Sequence, residues 1–196
     1  RFEEEPVQRL RRDLVELDGR PKARVHLPVL REKLFLHSLE ELRAGKKRPV
    51  ATTFAANAVQ EEVGCRGAQM VAHRIRPSVA IIFDVTHATD TPGISVKENG
   101  LVELGKGPTI SHGAANHPLV MQRLIDVAKK LKIPVQHEAV SRSTSTDADV
   151  IYTTRDGIPC GLISIPLRYM HSPVETISLA DVRHAASLAA GFIRSL

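Results

Sequence analysis

The segment FAANAVQEEVGCRGAQ, residues 54–69, sets Glu61 and Glu62 side by side just ahead of a glycine-containing turn. Adjacent carboxylates repel, and a divalent cation offsets that repulsion by giving them different tasks. One carboxylate ligates the cation while its neighbour accepts a proton from water activated there. The plain alternative is a solvated helix start, favoured by the helix dipole. Farther on, DVTHATDTPG (84–93) follows an apolar run and offers Asp84, His87 and Asp90. A lone Asp at a strand end commonly caps a loop, and His87 reads as a supporting or surface residue. LRYMHSPVE (167–175) sets Arg168, His171 and Glu175 in a loop between strand and helix. There His171 reads equally as a hydrogen-bonded loop residue or as a ligand. STSTDADV (143–150) has the form of a helix N-terminus with several caps. Carboxylates joined by an imidazole suit zinc, cobalt or manganese. Glu62, Asp84 and His171 are therefore candidate metal ligands.

These residues need elements to hold them. The pattern becomes regular at residue 34, where Leu34, Leu36, Leu39 and Leu42 predict a helix ending at Gly45. PVATTFAANAV (49–59) reads as a buried strand, Gly64–Arg76 as a helix, and SVAIIFD (78–84) as the next strand. Asn116–Lys132 predicts an amphipathic helix capped at Asn116, followed by the short strand IPVQHEAV (133–140). A helix starting near Thr146, the strand IPCGLISIP (158–166) and a final helix opened by Ser178 and Asp181 complete the series. Strands alternating with helices imply an α/β sandwich with a largely parallel or mixed sheet. In such sheets ligands gather past the carboxyl ends of strands, where Glu61, Glu62, Asp84 and His171 all fall.

Composition narrows the function classes. The chain has 196 residues, 42% hydrophobic and 4% aromatic, with a formal net charge of +5. Its basic residues are scattered, except at Arg9–Arg12 and Lys46–Arg48, and stacking platforms are scarce, which argues against a nucleic-acid groove. No apolar run approaches the roughly 20 residues of a membrane helix. The two cysteines, Cys65 and Cys160, form no C-x-x-C pair and read as small buried hydrophobes in a reducing cytoplasm.

VQEEVGCRGAQ, FDVTHATDTPG, LGKGPTISHG, STDADV and SIPLRYMHSPVE occur in this order along the chain. In that order and spacing the chain resembles the M42 family of metallo-aminopeptidases, which includes glutamyl and tetrahedral aminopeptidases and some members labelled endoglucanase. The likeness covers about residues 34–196, the C-terminal part of the family's catalytic domain. It implies a three-layer, zinc-peptidase-like sandwich, incomplete at the N-terminus, with residues 1–33 an altered connector or the remnant of an inserted domain. It also implies a cytoplasmic hydrolase that uses two divalent metal ions, zinc or cobalt, to remove N-terminal residues from peptides. In that scheme Glu61 is the general base, Glu62 and His171 ligate one metal, and Asp84 ligates the other. The implied partners are peptide substrates and further copies of the chain in a homo-oligomer, not nucleic acid or membrane.

The chain also departs from that pattern. Family members are nearly twice as long, and their N-terminal part supplies a metal-binding His. A Leu-Asp-Asp-Arg-like motif with a bridging Asp precedes the paired glutamates by roughly thirty residues, where this chain reads VLREK (29–33). LDGR (17–20) is the nearest imitation, yet Asp18 lies 44 residues before Glu62. The expectation is weak metal binding and poor turnover by this chain alone. The competing reading is a non-catalytic or truncated peptidase-fold protein kept for assembly or binding. A glycosidase would need two carboxyls about 5–9 Å apart across a sugar bond, and with no Trp and two Tyr the sugar platforms are few.

Overall fold

The computed structural model describes residues 14–16, 29–45 and 49–196, with side chains at 34–45 and 49–196. The connector expected over residues 1–33 falls largely outside them. The elements in order are β1 (Leu14–Glu16), α1 (Val29–Ala44), β2 (Phe54–Ala56), α2 (Arg66–Ile75), β3 (Ala80–His87) and α3 (Val96–Asn99). They continue as β4 (Thr109–Gly113), α4 (Pro118–Leu131), β5 (Gln136–Val140), α5 (Ala148–Ile151), β6 (Cys160–Arg168), β7 (Thr176–Ile177) and α6 (Leu179–Arg194).

The main sheet runs β3-β6-β4-β5, with β7 also pairing β6. β3 and β6 are parallel over eight positions, from Ala80↔Cys160 to His87↔Leu167. β4 and β5 are parallel over five. The two parallel pairs join through an antiparallel contact at Thr109↔Ser164 and Ile110↔Ile163. The sheet is thus mixed and mostly parallel, as the alternation of elements implied.

Side-chain alternation along the strands assigns the layers. Ile81, Phe83 and Val85 of β3, Ile110 of β4, and Ile163 and Ile165 of β6 pack against α1, α4 and α6 through Leu34, Leu124 and Leu188. The alternate residues Ala80, Ile82, Cys160 and Leu162 pack on the other face against Ala72 of α2 and Ala148 of α5. The chain is a three-layer sandwich. Phe35 meets Phe83 edge-on at 5.6 Å, fixing α1 over β3. Gly191 lets α6 approach α4, because a Cβ there would lie 2.7 Å from both Val127 Cγ1 and Leu131 Cδ1.

The structure differs from the sequence reading in five places, the first being that β3 runs on to His87 and so holds Asp84 inside the strand, not past its end. The strand expected over 49–59 is only β2, and it pairs antiparallel with β1 apart from the main sheet. Val50 is 96% exposed and Phe54 38%, so that stretch does not use its apolar residues in the central core. The helix near Thr146 is four residues long. β4 was not expected at all, since TISHG alternates polar and apolar residues between glycines. The cap of α4 is His117, whose Nδ1 accepts from the Leu119 amide. Asn116 instead accepts from the Leu162 amide at 2.9 Å and so ties α4 to β6.

Candidate functional site

Glu61 and Glu62 ride a closed turn between β2 and α2. The Glu61 carbonyl accepts from the amides of Gly64 (3.1 Å) and Cys65 (3.0 Å), and the Gly67 amide donates to the Val59 carbonyl at 3.0 Å. Only glycine fits at 67, since a Cβ would meet the Val59 backbone at 2.5–2.6 Å. Gln60 and Cys65 both take left-handed φ, near 62° and 55°. The turn leaves Glu61 half-buried and Glu62 exposed.

His171 lies in the loop after β6. That loop is also left-handed, at Tyr169 (φ 60°) and at His171 itself (φ 61°). The Glu175 carboxylate accepts from the His171 amide at 2.7 Å, and Ser172 N donates to the Tyr169 carbonyl at 3.1 Å. Arg168 at the end of β6 pairs with Asp90, its Nε donating to Oδ1 at 3.2 Å. Asp90 also accepts from the Leu104 amide. The Arg168 hydrogen bond chiefly holds the Asp90 carboxyl below its ordinary range. This pair ties the loop after β3 to the loop that carries His171.

The two loops converge: His171 Nε2 stands 3.7 Å from Glu62 Oε1. Both side chains are about three-quarters exposed, at 72% and 76%. An exposed ion pair contributes about 0.2–1 kcal/mol, whereas each left-handed non-glycine residue costs of order 1–3 kcal/mol. The contact does not repay the strain of four such residues, so stability is no explanation for this arrangement. Two donors each about 2.0–2.1 Å from one ion sit about 3.3 Å apart at a tetrahedral angle. The observed 3.7 Å is about 0.4 Å wider, so the pair would have to close slightly to share one divalent cation, for which a carboxylate with an imidazole suits zinc, cobalt or manganese.

Asp84 is 8% exposed on β3, opposite Ser164, and its Oδ1 accepts from the Val85 amide at 2.8 Å. By phase it shares the face of Ala80 and Ile82, toward α2 and α5. Among the described residues no group of three or more His, Cys, Asp or Glu stands ready to hold a metal. The geometry brings together two candidate ligands, Glu62 and His171, and not Asp84 with them, where a catalytic zinc normally has three from protein. His87 is exposed at the end of β3, in keeping with a surface role.

Two acidic residues outside the candidate set also border these elements. The Glu138 carboxylate on β5 accepts from Thr86, from Thr109 at 3.4 Å and from Ser111 at 3.2 Å, on Asp84's side of the sheet. Asp147 lies against Cys65 in the glutamate turn, and burial, then Asp147 and Glu61, push that thiol up to about 11. The signal for Glu138 was the polar phase of TISHG and QHEAV. Asp147 sits in STSTDADV as the N-cap residue of α5 but makes no side-chain cap hydrogen bond there, so the expected capping is not made. Asp149 instead closes the preceding loop, accepting from Thr144 N at 3.0 Å and Ser145 N at 2.9 Å.

A sequence profile described as M42 glutamyl aminopeptidase matches residues 34–188. A lysyl aminopeptidase of Pyrococcus furiosus is 37% identical over 169 residues, which is 86% of this chain and 48% of that protein. An aminopeptidase structure from the archaeon Desulfurococcus kamchatkensis superposes with a TM-score of 0.75 at 38% identity, over 83% of this chain and 45% of that one. A Pyrococcus horikoshii TET1 peptidase, described as assembling into a tetrahedron or a large octahedral shell, matches with a TM-score of 0.65 at 25% identity, over 83% and 46%. The chain spans less than half the length of each of these relatives. With most of its length under one family profile and its sheet shared with aminopeptidase structures, the chain belongs to the M42 glutamyl aminopeptidase family.

Proposed function

We propose that this chain carries the proton-transfer and part of the cation-binding machinery of a metal-dependent aminopeptidase that removes N-terminal residues from peptides. The observation that supports it most is the approach of His171 to Glu62 on two strained, exposed loops. Glu62 and His171 would hold one divalent cation, zinc or cobalt, and Asp84 would contribute to a second. Such ions, when bound, polarise the scissile carbonyl and lower the pKa of the attacking water. Glu61, next in the chain and half-buried, accepts that proton and returns it to the leaving amine. The Asp90–Arg168 pair and the Glu175 clamp hold the His171 loop in place.

Homo-oligomer formation is part of the proposal, by likeness to the shell-forming archaeal peptidase. Both cysteines are free, which suits a reducing compartment and the cytoplasmic location proposed here. Among the described residues no helix is long and apolar enough to cross a membrane.

The test is hydrolysis of aminoacyl-nitroanilides against oligosaccharides, with and without cobalt. Cobalt-dependent release of nitroaniline, lowered about 10²–10⁴-fold by Glu61→Gln, is the expected result. A second reading, a peptidase fold kept for assembly or binding, is favoured by the absence of a three-ligand group among the described residues. It prevails if neither substrate is cleaved while self-association persists.

A further inference from the structure

The strand pair β4–β5 carries a second cluster of nitrogen donors that the peptidase reading leaves unused. His112 Nε2 stands 2.9 Å from His137 Nδ1, with ring centroids 5.1 Å apart and planes tilted by 46°. The register pairs Ile110 with His137 and His112 with Ala139, so the two rings are diagonal neighbours on one face. It is the face of Ile110, on the α1, α4 and α6 side of the sheet and opposite the face to which Asp84 belongs. His137 is exposed and His112 half-buried, so the pair is open to solute.

We propose that His112 and His137 form a two-histidine chelate for a divalent first-row transition cation, copper(II) before nickel(II) or zinc, separate from Glu62 and His171. Two imidazole nitrogens bound at about 2.0–2.1 Å lie about 2.9 Å apart at a right angle and about 3.3 Å at a tetrahedral one. The observed 2.9 Å is the length of the N–H···N hydrogen bond the pair now makes, and it equals the right-angled separation that copper(II) and nickel(II) prefer. With metal–centroid distances of about 3.2 Å, that right angle puts the centroids about 4.5 Å apart. Chelation therefore draws the rings in from the observed 5.1 Å and turns each nitrogen off its partner toward the cation. As it stands, one ring donates to the other. On chelation each neutral ring carries its proton on the nitrogen away from the cation, so no proton need be lost. Hard cations would ignore the site, since imidazole suits copper, nickel and zinc and not magnesium or calcium.

The separation from the peptidase centre is structural. No three His, Cys, Asp or Glu side chains among the described residues group together, so the His112–His137 and Glu62–His171 pairs are not one site. This proposal does not rest on the peptidase reading.

Titration of the full chain with copper(II), followed by calorimetry and by electron paramagnetic resonance, tests it. The expected spectrum is a tetragonal signal with hyperfine coupling to two nitrogens. His112→Gln and His137→Gln should each weaken binding by more than about tenfold, the lower end of what losing even an outer-shell partner costs. Glu62→Gln with His171→Gln should leave that signal in place. Circular dichroism and thermal melts of each variant show that the fold survives, and His112→Lys, which keeps a long polar side chain without a ring, serves if His112→Gln unfolds. The proposal is overturned if copper binding is unchanged in the His112 and His137 variants, if it disappears with Glu62 and His171, or if no nitrogen coupling is seen.

Discussion

At the scale of single residues, the side chains that steady the His171 loop lie outside the candidate metal set. Asp90 is the clearest case, because its one carboxylate ties the loop after β3 to the end of β6 through Arg168 and to the segment before β4 through the Leu104 amide. Its folded pKa is depressed, so the stabilisation it brings is present above the unfolded value of about 3.9. It is lost as pH falls from there through the lower folded value. Asp90→Asn should therefore lower the melting temperature at neutral pH, and the gap to the parent should narrow at a pH below the unfolded value of about 3.9. An equal gap at both pH values would show that the carboxylate charge is not what matters. The motif residues were legible in the sequence because each is a rare type at an expected break: Glu61 and Glu62 before a glycine turn, His171 after an apolar strand. Glu138 and Asp147 were not, since the hydroxyls and thiol they face come from segments tens of residues away. Asp181 shows the limit of local reading. Its amide does donate to the capping Ser178 hydroxyl, at 3.4 Å, as the sequence implied. Its fully buried carboxylate, however, turns away to receive the amides of Gly105 (2.8 Å) and Gly107 (2.9 Å).

At the scale of elements, the core helices follow their sequence patterns closely and the short strands do not. α4 and α6 have enough turns for apolar spacing to declare itself. β4 has five residues, and its alternation of Thr109, Ile110 and Ser111 looks like a loop until the sheet gives each face a partner. Helix contact also sets which side chains are tolerated. Gly191 sits where a methyl group would press on Val127 and Leu131 at 2.7 Å. Gly191→Ala should cost about 1–3 kcal/mol through overpacking, despite alanine's better helix propensity. Adding Val127→Ala to it should recover part of the loss, measured as a non-additive double-mutant cycle in urea. Strict additivity would mean the two helices are not pressed together at that point.

At the scale of the whole molecule, the described residues bring two candidate cation ligands to one place and no group of three anywhere. A catalytic zinc normally takes three protein ligands, so calorimetric titration of the 196-residue chain with zinc should show no two tight sites. Two such sites, one of them lost in Glu62→Gln, would show that residues outside the described set complete the centre. The sandwich and its mixed sheet followed from the alternation of elements, but the strand order did not, because nothing local announces that β4 meets β6 head to tail. That meeting is two residue pairs long, whereas β3 and β6 share eight. The sheet is in effect two ribbons stitched by a couple of rungs, and the stitch is its mechanically soft line. Deuterium uptake should then report two cooperative units, with β3–β6 amides retaining protons longest and Thr109 and Ile110 yielding earlier.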